Sequence, residues 1–226
     1  MKLDTGMSFR ATVLWRRFFA VPFLALIATN VAQAQLLTSP VAFANEDGVV
    51  VSFVAAPSLG STSGGGGGDA TQWLKVEFHY GTTANLKTPF LDAIQFKVWI
   101  EGRDMQAVNP NAPGQGVAVG LTGTVNYVNV PAGKDIYGVV FVPPSTLARY
   151  STEHGVTDFE KTFDVHVEAY VGGQKMDYND KNKETDPNWF TQLKAIPGLV
   201  FRQDQSPFIV SDTDRYPPLK LPDAAQ

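Results

Sequence analysis

The sequence predicts an all-β protein, an immunoglobulin-like antiparallel β-sandwich with one or two short helices. Three observations carry this. Apolar residues recur at every second position in run after run, the period of a half-buried strand. Glycine and proline separate the runs as turn residues do. No stretch of the body shows a long apolar stripe at helical spacing. Seven to nine short strands at this spacing suit a two-sheet sandwich, and the chain is short for the two Greek keys of a jelly roll.

The first 34 residues stand apart from that pattern. Lys2, Arg10, Arg16 and Arg17 form a positive region, and Phe18 to Ile27 (FFAVPFLALI) an apolar core. Ala32-Gln33-Ala34 then gives the small-x-small pattern of a signal-peptidase site, so residues 1–34 read as a cleavable signal peptide and Gln35 as the mature N-terminus. The apolar run includes Pro22 and falls short of the roughly 20 residues a spanning helix needs. A prepilin leader would be followed by a long apolar helix, which Arg10, Arg16 and Arg17 interrupt. With no cysteine there is no lipobox, so no stable membrane anchor is expected after cleavage. These features place the chain outside the bacterial cytoplasm, and it is expected in the periplasm or at the cell surface of a diderm, Gram-negative bacterium.

Residues 35–226 are expected to form one sandwich domain. Val49 to Val54 (VVVSFV) is a β-branched run. Residues 61–68 (STSGGGGG) form a flexible loop, because a glycine run cannot bury enough surface to offset its backbone entropy. Leu74-Val76-Phe78-Tyr80 alternates with Lys75, Glu77 and His79, and Ile94-Phe96-Val98-Ile100 with Gln95, Lys97 and Trp99. Val125 to Val130 and Tyr137 to Val142 follow, then a short helix over 143–150. Phe163-Val165-Val167-Ala169-Val171 is the most regular alternation, ending at Gly172-Gly173, a pair suited to a two-residue hairpin turn. A second helix is predicted over 186–195, with Asp186 as cap and Pro187 in the first turn. Leu199 to Phe201 and Phe208 to Val210 supply two short final strands. The Pro-rich tail 217–226 is expected to be extended and exposed.

Charge and composition exclude several functions. The leader holds four of the 18 Lys+Arg and one of the 22 Asp+Glu, so the remainder carries 14 basic and 21 acidic groups, a formal net of −7. That balance, without a basic stripe, argues against nucleic acid and against anionic lipid as partners. Absence of cysteine rules out thiol catalysis, zinc–thiolate sites and c-type haem attachment. His166 shares a strand face with Asp164 and Glu168, a set that could present metal ligands. Alternation alone accounts for the same set as a polar strand face, and that reading is preferred. The acidic loop 177–186 departs from the calcium pattern, with Lys181 at a ligand position and Asn182 where glycine is required. No nucleophile elbow or singled-out carboxylate pair is present, so no catalytic, cofactor or metal residues are assigned and the chain is expected not to be an enzyme.

Aromatics on otherwise polar faces are the remaining candidates. Trp73, Trp99 and Trp189 are read as interaction residues, able to stack on a sugar ring or anchor a protein. The bland alternative has Trp73 and Trp99 cross-paired on neighbouring strands beneath a loop. Tyr216 joins them at the start of the tail, in an extended conformation imposed by Pro217, with Arg215 close to Asp212 and Asp214. Such a segment could lie along a sheet edge, its own or a neighbour's.

The C-terminal third also carries a set of short motifs: Asn188-Trp189-Phe190, Leu199-Val200-Phe201-Arg202, Ser206-Pro207-Phe208 and Asp214-Arg215-Tyr216-Pro217. Together with the exported, cysteine-free β body, these resemble a family of pilus-like proteins with immunoglobulin-like folds from verrucomicrobial bacteria such as Akkermansia. The resemblance implies a non-enzymatic structural or interaction component of a pilus-associated or cell-surface assembly, with protein partners and self-association as its modes of contact. A carbohydrate-binding or adhesin-like module using the aromatics is the alternative. The exported protein is expected to begin at Gln35, which intact mass will show; a product retaining Met1 in the membrane fraction would overturn the leader.

Overall fold

A computed structural model describes residues 39–44, 48–57, 72–83, 89–150, 163–181, 186 and 188–221. The leader, the 61–68 loop, residues 182–185 of the acidic loop, His154 and the tail beyond 221 lie outside the described residues. Two sheets face each other. In the first, β3 (Gln72–Thr82) is central, with β6 (Gly133–Val142) on one side. On its other side β1 (Val41–Phe43) and β2 (Val49–Ala55) lie end to end. The second sheet runs β8 (Gln174–Lys181), β7 (Val165–Val171), β4 (Phe90–Asp104), β5 (Val117–Pro131) and β9 (Lys194–Pro197). All its pairs are antiparallel except β5 with β9, which is parallel.

The alternation seen in the sequence sets the core. Leu74, Val76, Phe78 and Tyr80 of β3 are fully buried, and Ile94, Phe96, Val98 and Ile100 of β4 meet them from the other sheet. Phe96 is the hub, with Phe78 at 4.6 Å, Tyr80 at 4.8 Å and Phe43 and Tyr127 edge-on near 6 Å. Offset and edge-on pairs of this kind add about 0.5–1.5 kcal/mol each beyond area burial. Gly138 lies directly opposite Phe78, and a Cβ there would overlap the phenyl ring, so glycine at that position is what lets β6 close on β3. The Tyr127 hydroxyl oxygen accepts the Val139 N–H at 2.9 Å, joining β5 to β6 across the seam between the sheets. Helix α1 (Pro144–Tyr150) forms where predicted and buries Thr146 and Tyr150. Gly172 and Gly173 both take positive φ, 58° and 82°, and close the β7–β8 hairpin as the sequence indicates.

The C-terminal segment departs from prediction at four places. The helix expected over 186–195 is a 3-10 turn, Trp189–Gln192, followed at once by β9. The free edge of β5 captures residues 194–197, and ladder pairing outweighs a local helical preference. Leu199 to Phe201 forms no strand of its own. Phe201 instead exchanges two backbone hydrogen bonds with Phe141 of β6, at 2.8 and 2.7 Å, so the chain steps from one sheet to the other. Phe208 to Val210 is a turn and not a strand: the Gln203 amide donates to the carbonyls of Phe208 and Ser211, and Pro207 can donate nothing to a ladder. The tail is extended but not free. Val128 N–H donates to Pro218 O at 2.9 Å and Lys220 N–H to Asn126 O at 2.8 Å, beyond the point on β5 where β9 ends.

The result is a third layer. Lys75, Glu77 and His79 point away from the core, and their cross-strand neighbours Phe141, Val139 and Tyr137 share that outer face. Val139 and Phe141 are nevertheless buried, because Phe208 stacks on Phe141 at 4.6 Å and Trp73 meets Phe201 and Phe208 at 6.1 and 5.9 Å. A Phe208→Ala variant should therefore lose about 3 kcal/mol or more in urea unfolding, the cost of emptying a buried phenyl site. Ile209→Ala, at a side chain 53% exposed, should change stability by less than about 0.5 kcal/mol. Equal effects would show that this layer does not pack as described.

Candidate functional site

The four aromatics singled out in the sequence fall into two clusters, one on the outer face of each sheet. Trp73 and Tyr216 belong to the first sheet, Trp99 and Trp189 to the second. They are not free-standing. Trp189 and Tyr216 are buried, and Trp73 and Trp99 are half-buried. The exposed-platform reading is thus corrected for Trp189, and Tyr216, read as an interaction residue at the start of the tail, is likewise buried: residues 188–221 fold back and use both as anchors. Trp73 and Trp99 are not cross-paired either, since they stand on different sheets.

On the first sheet Glu77 is the anchor point. Its carboxylate accepts a bidentate pair from Arg215, at 2.7 and 3.1 Å, and the Tyr216 hydroxyl at 2.7 Å, with Lys75 Nζ at 2.9 Å. Arg215 takes this long-range partner in place of the local ion pairs with Asp212 and Asp214 that its sequence position suggests, and its guanidinium lies 4.2 Å over the Tyr137 ring. Burial pushes the Glu77 carboxyl up, but the hydrogen bonds from Tyr216, Lys75 and Arg215 outweigh it and hold the group below its usual range. Burial, and then the bond to Glu77, push the Tyr216 hydroxyl well above a normal phenol.

On the second sheet the outward side chains line up in three cross-strand rows. The first is Asp180, His166, Trp99 and Thr122; the second Tyr178, Glu168, Lys97 and Thr124; the third Lys175, Tyr170, Gln95 and Asn126. His166 is 1% exposed. Its Nδ1 lies 2.7 Å from Asp180 and its Nε2 3.5 Å from Glu168, and Phe190 stacks flat on the ring at 3.7 Å. Trp189 Nε1–H donates to the same Asp180 oxygen at 3.0 Å. Glu168 accepts from the Tyr170 hydroxyl at 2.6 Å and Lys175 at 3.0 Å. Burial raises the Glu168 carboxyl, but these bonds bring it below its usual range, while burial and Glu168 push the Tyr170 hydroxyl up to about 12.

Sequence alternation correctly placed His166 and Glu168 on one face. It named Asp164 as the third member, whereas the neighbour of His166 is Asp180, brought in by the hairpin register. Among the described residues no group of three or more His, Cys, Asp or Glu is arranged to hold a metal ion. An Asp–His pair resembles part of a catalytic relay, but Phe190 covers the ring, so substrate has no approach to it. The sequence marked Asp180 only as a member of the acidic loop 177–186, and Glu77 not at all as a site residue. The signal available for Glu77 was only that it faces outward on a strand.

This architecture defines a class: an immunoglobulin-like sandwich whose C-terminal segment wraps back over both sheets. A protein-family model matches residues 41–222, which takes in both sheets and the wrapping segment. Among solved structures, one of a protein from Akkermansia muciniphila superposes with a TM-score of 0.58 at 21% identity, covering 77% of this chain and 94% of that one. A comparison with curated proteins gives no match. The chain belongs to the family that this family model describes, the pilus-like, immunoglobulin-like family of the verrucomicrobial, Akkermansia type that its C-terminal motifs resemble.

The lowered Glu77 carboxyl has a testable sign. Its contribution is fully present above the unfolded value, 4.5, and is lost as pH falls through the lower folded value. The stability gap between wild type and Glu77→Gln should therefore be constant near neutrality and shrink on acidification below about pH 4.5. A gap that widens in acid would contradict the anchor.

Proposed function

We propose that the protein is an exported, non-enzymatic structural or interaction component of a pilus-associated or cell-surface assembly, working through protein partners or self-association. Membership of this pilus-like family across residues 41–222 is the observation that carries this reading. One feature supports it. The buried polar groups hold layers together: Glu77 fixes residues 215–216, and Asp180 with His166 fixes residues 189–190. No helix among the described residues is long and apolar enough to cross a membrane.

The edge of β2 is the contact this reading favours. Its sequence, VVVSFVA, contains no charge and no proline, and among the described residues no strand pairs with its outer side. Uncharged edges are templates for strand addition, whereas lysine on an edge discourages it. Val50 is 42% exposed, so Val50→Lys should leave the melting temperature unchanged while reducing self-association or recovery of surface-assembly components by crosslinking. A monomeric wild-type protein that recovers no such component would overturn the proposal.

A further inference from the structure

The outer face of the second sheet carries two neighbouring open cavities, each walled in part by the wrapping segment, which we take together as one groove. Gln95, Lys97 and Trp99 of β4 and Asn126, Thr124 and Thr122 of β5 form its floor in three directly paired rows. Residues 195–202 and 220–221 wall one side, and Tyr170 stands on the other. It comprises two open cavities of about 450 and 470 Å³, one around Gln95 and Asn126, the other around Trp99 and Thr122. Along β4 the strand rise puts about 13 Å between Gln95 and Trp99, the length of a short oligosaccharide.

We propose that this groove binds an acidic oligosaccharide. The floor is the face of a paired sheet, so its backbone groups are engaged in the ladder and only side chains point upward. Those side chains are amides, hydroxyls, an indole and an ammonium. Amides and hydroxyls recognise vicinal sugar hydroxyls by paired hydrogen bonds, and the half-buried indole adds an aromatic surface beside them. Gln95 Nε2 already donates to Asn126 Oδ1 at 3.0 Å, which fixes both amides side by side. An added peptide strand would need a free backbone edge, which the floor of a paired sheet does not provide.

The charge of the lining selects the acidic class. Lys97, Arg202 and Lys220 line the groove, and no Asp or Glu is among the described lining residues, in a body whose net charge is −7. Arg202 is partly neutralised by a bidentate pair with Asp204 outside the groove, at 2.7 and 2.9 Å. Lys97 sits 4.3 Å over the Tyr170 ring, which holds its ammonium at mid-groove beside the amide pair. Lys220 is exposed at the rim.

This inference does not depend on the assembly reading, and a direct binding measurement separates the two. Titration calorimetry of the purified protein against an oligogalacturonate tetrasaccharide, a chondroitin sulfate tetrasaccharide, neutral cellotetraose and a hexaglutamate peptide covers the alternatives. Binding of either acidic saccharide is expected, weakened by added salt. The two acidic probes show whether a uronate alone suffices or a sulfate ester is required. Because Trp99 also supports Phe190, the test rests on K97Q/K220Q and on N126A, whose side chains lie outside the core. Each should melt as wild type does, and the double variant should bind the acidic saccharide about tenfold or more weaker. Failure of both acidic saccharides to bind, equal binding of cellotetraose, tighter binding of hexaglutamate, or unchanged affinity in K97Q/K220Q would overturn the proposal.

Discussion

The structure depends on one segment covering two faces. A two-sheet sandwich buries the inner face of each sheet and normally leaves the outer faces to water. Here the outer faces carry Trp73, Val139 and Phe141 on one sheet and Trp99 and His166 on the other, a load that water does not tolerate. Residues 186–221 cover both. They begin on the second sheet at Trp189 and Phe190, run along the edge of β5 and cross to β6 through Phe201. They then pack Phe208 on Phe141 and return to β5 at Pro218 and Lys220.

Two carboxylates hold that segment in register. Asp180 accepts from Trp189 Nε1–H and contacts His166, and Glu77 accepts from Arg215 and Tyr216. Hydrogen bonds to charged groups contribute about 1.5–3 kcal/mol each, whereas a buried carboxylate stripped of its partners costs more than that. The apolar contacts supply most of the adhesion, and the carboxylates decide where it forms. An aromatic such as Phe208 could settle on any greasy surface; Arg215 with its bidentate fork fits only where Glu77 stands.

The same wrapping builds the groove. Without residues 195–202 and 220–221, Gln95, Lys97, Trp99, Thr122, Thr124 and Asn126 would be an open polar sheet face. With them, those side chains become the floor of a walled channel that Lys97 and Lys220 line. Packing that stabilises the sandwich thus also shapes this surface, while among the described residues no strand pairs with the outer side of β2 on the opposite sheet.

The period-two alternation in Leu74–Tyr80, Ile94–Ile100 and Phe163–Val171 determined the strands, their inward faces and the sandwich, because burial of every second side chain follows from strand geometry alone. Gly172-Gly173 determined its hairpin, since only glycine adopts two successive positive φ angles without strain. The short C-terminal motifs were enough to indicate the family. Only the tertiary structure decided what the C-terminal third became. Trp189–Ala195 could have been helix and Phe208–Val210 strand by local preference, but the open edges of β5 and β6 offered backbone partners and Phe141 an apolar face. Those partners lie more than fifty residues away in the chain, beyond the reach of any local signal. Which side chains are exposed was decided at the same level. Trp189 and Tyr216 look free in the sequence and are buried in the fold, because Asp180 and Glu77 reach them from other strands.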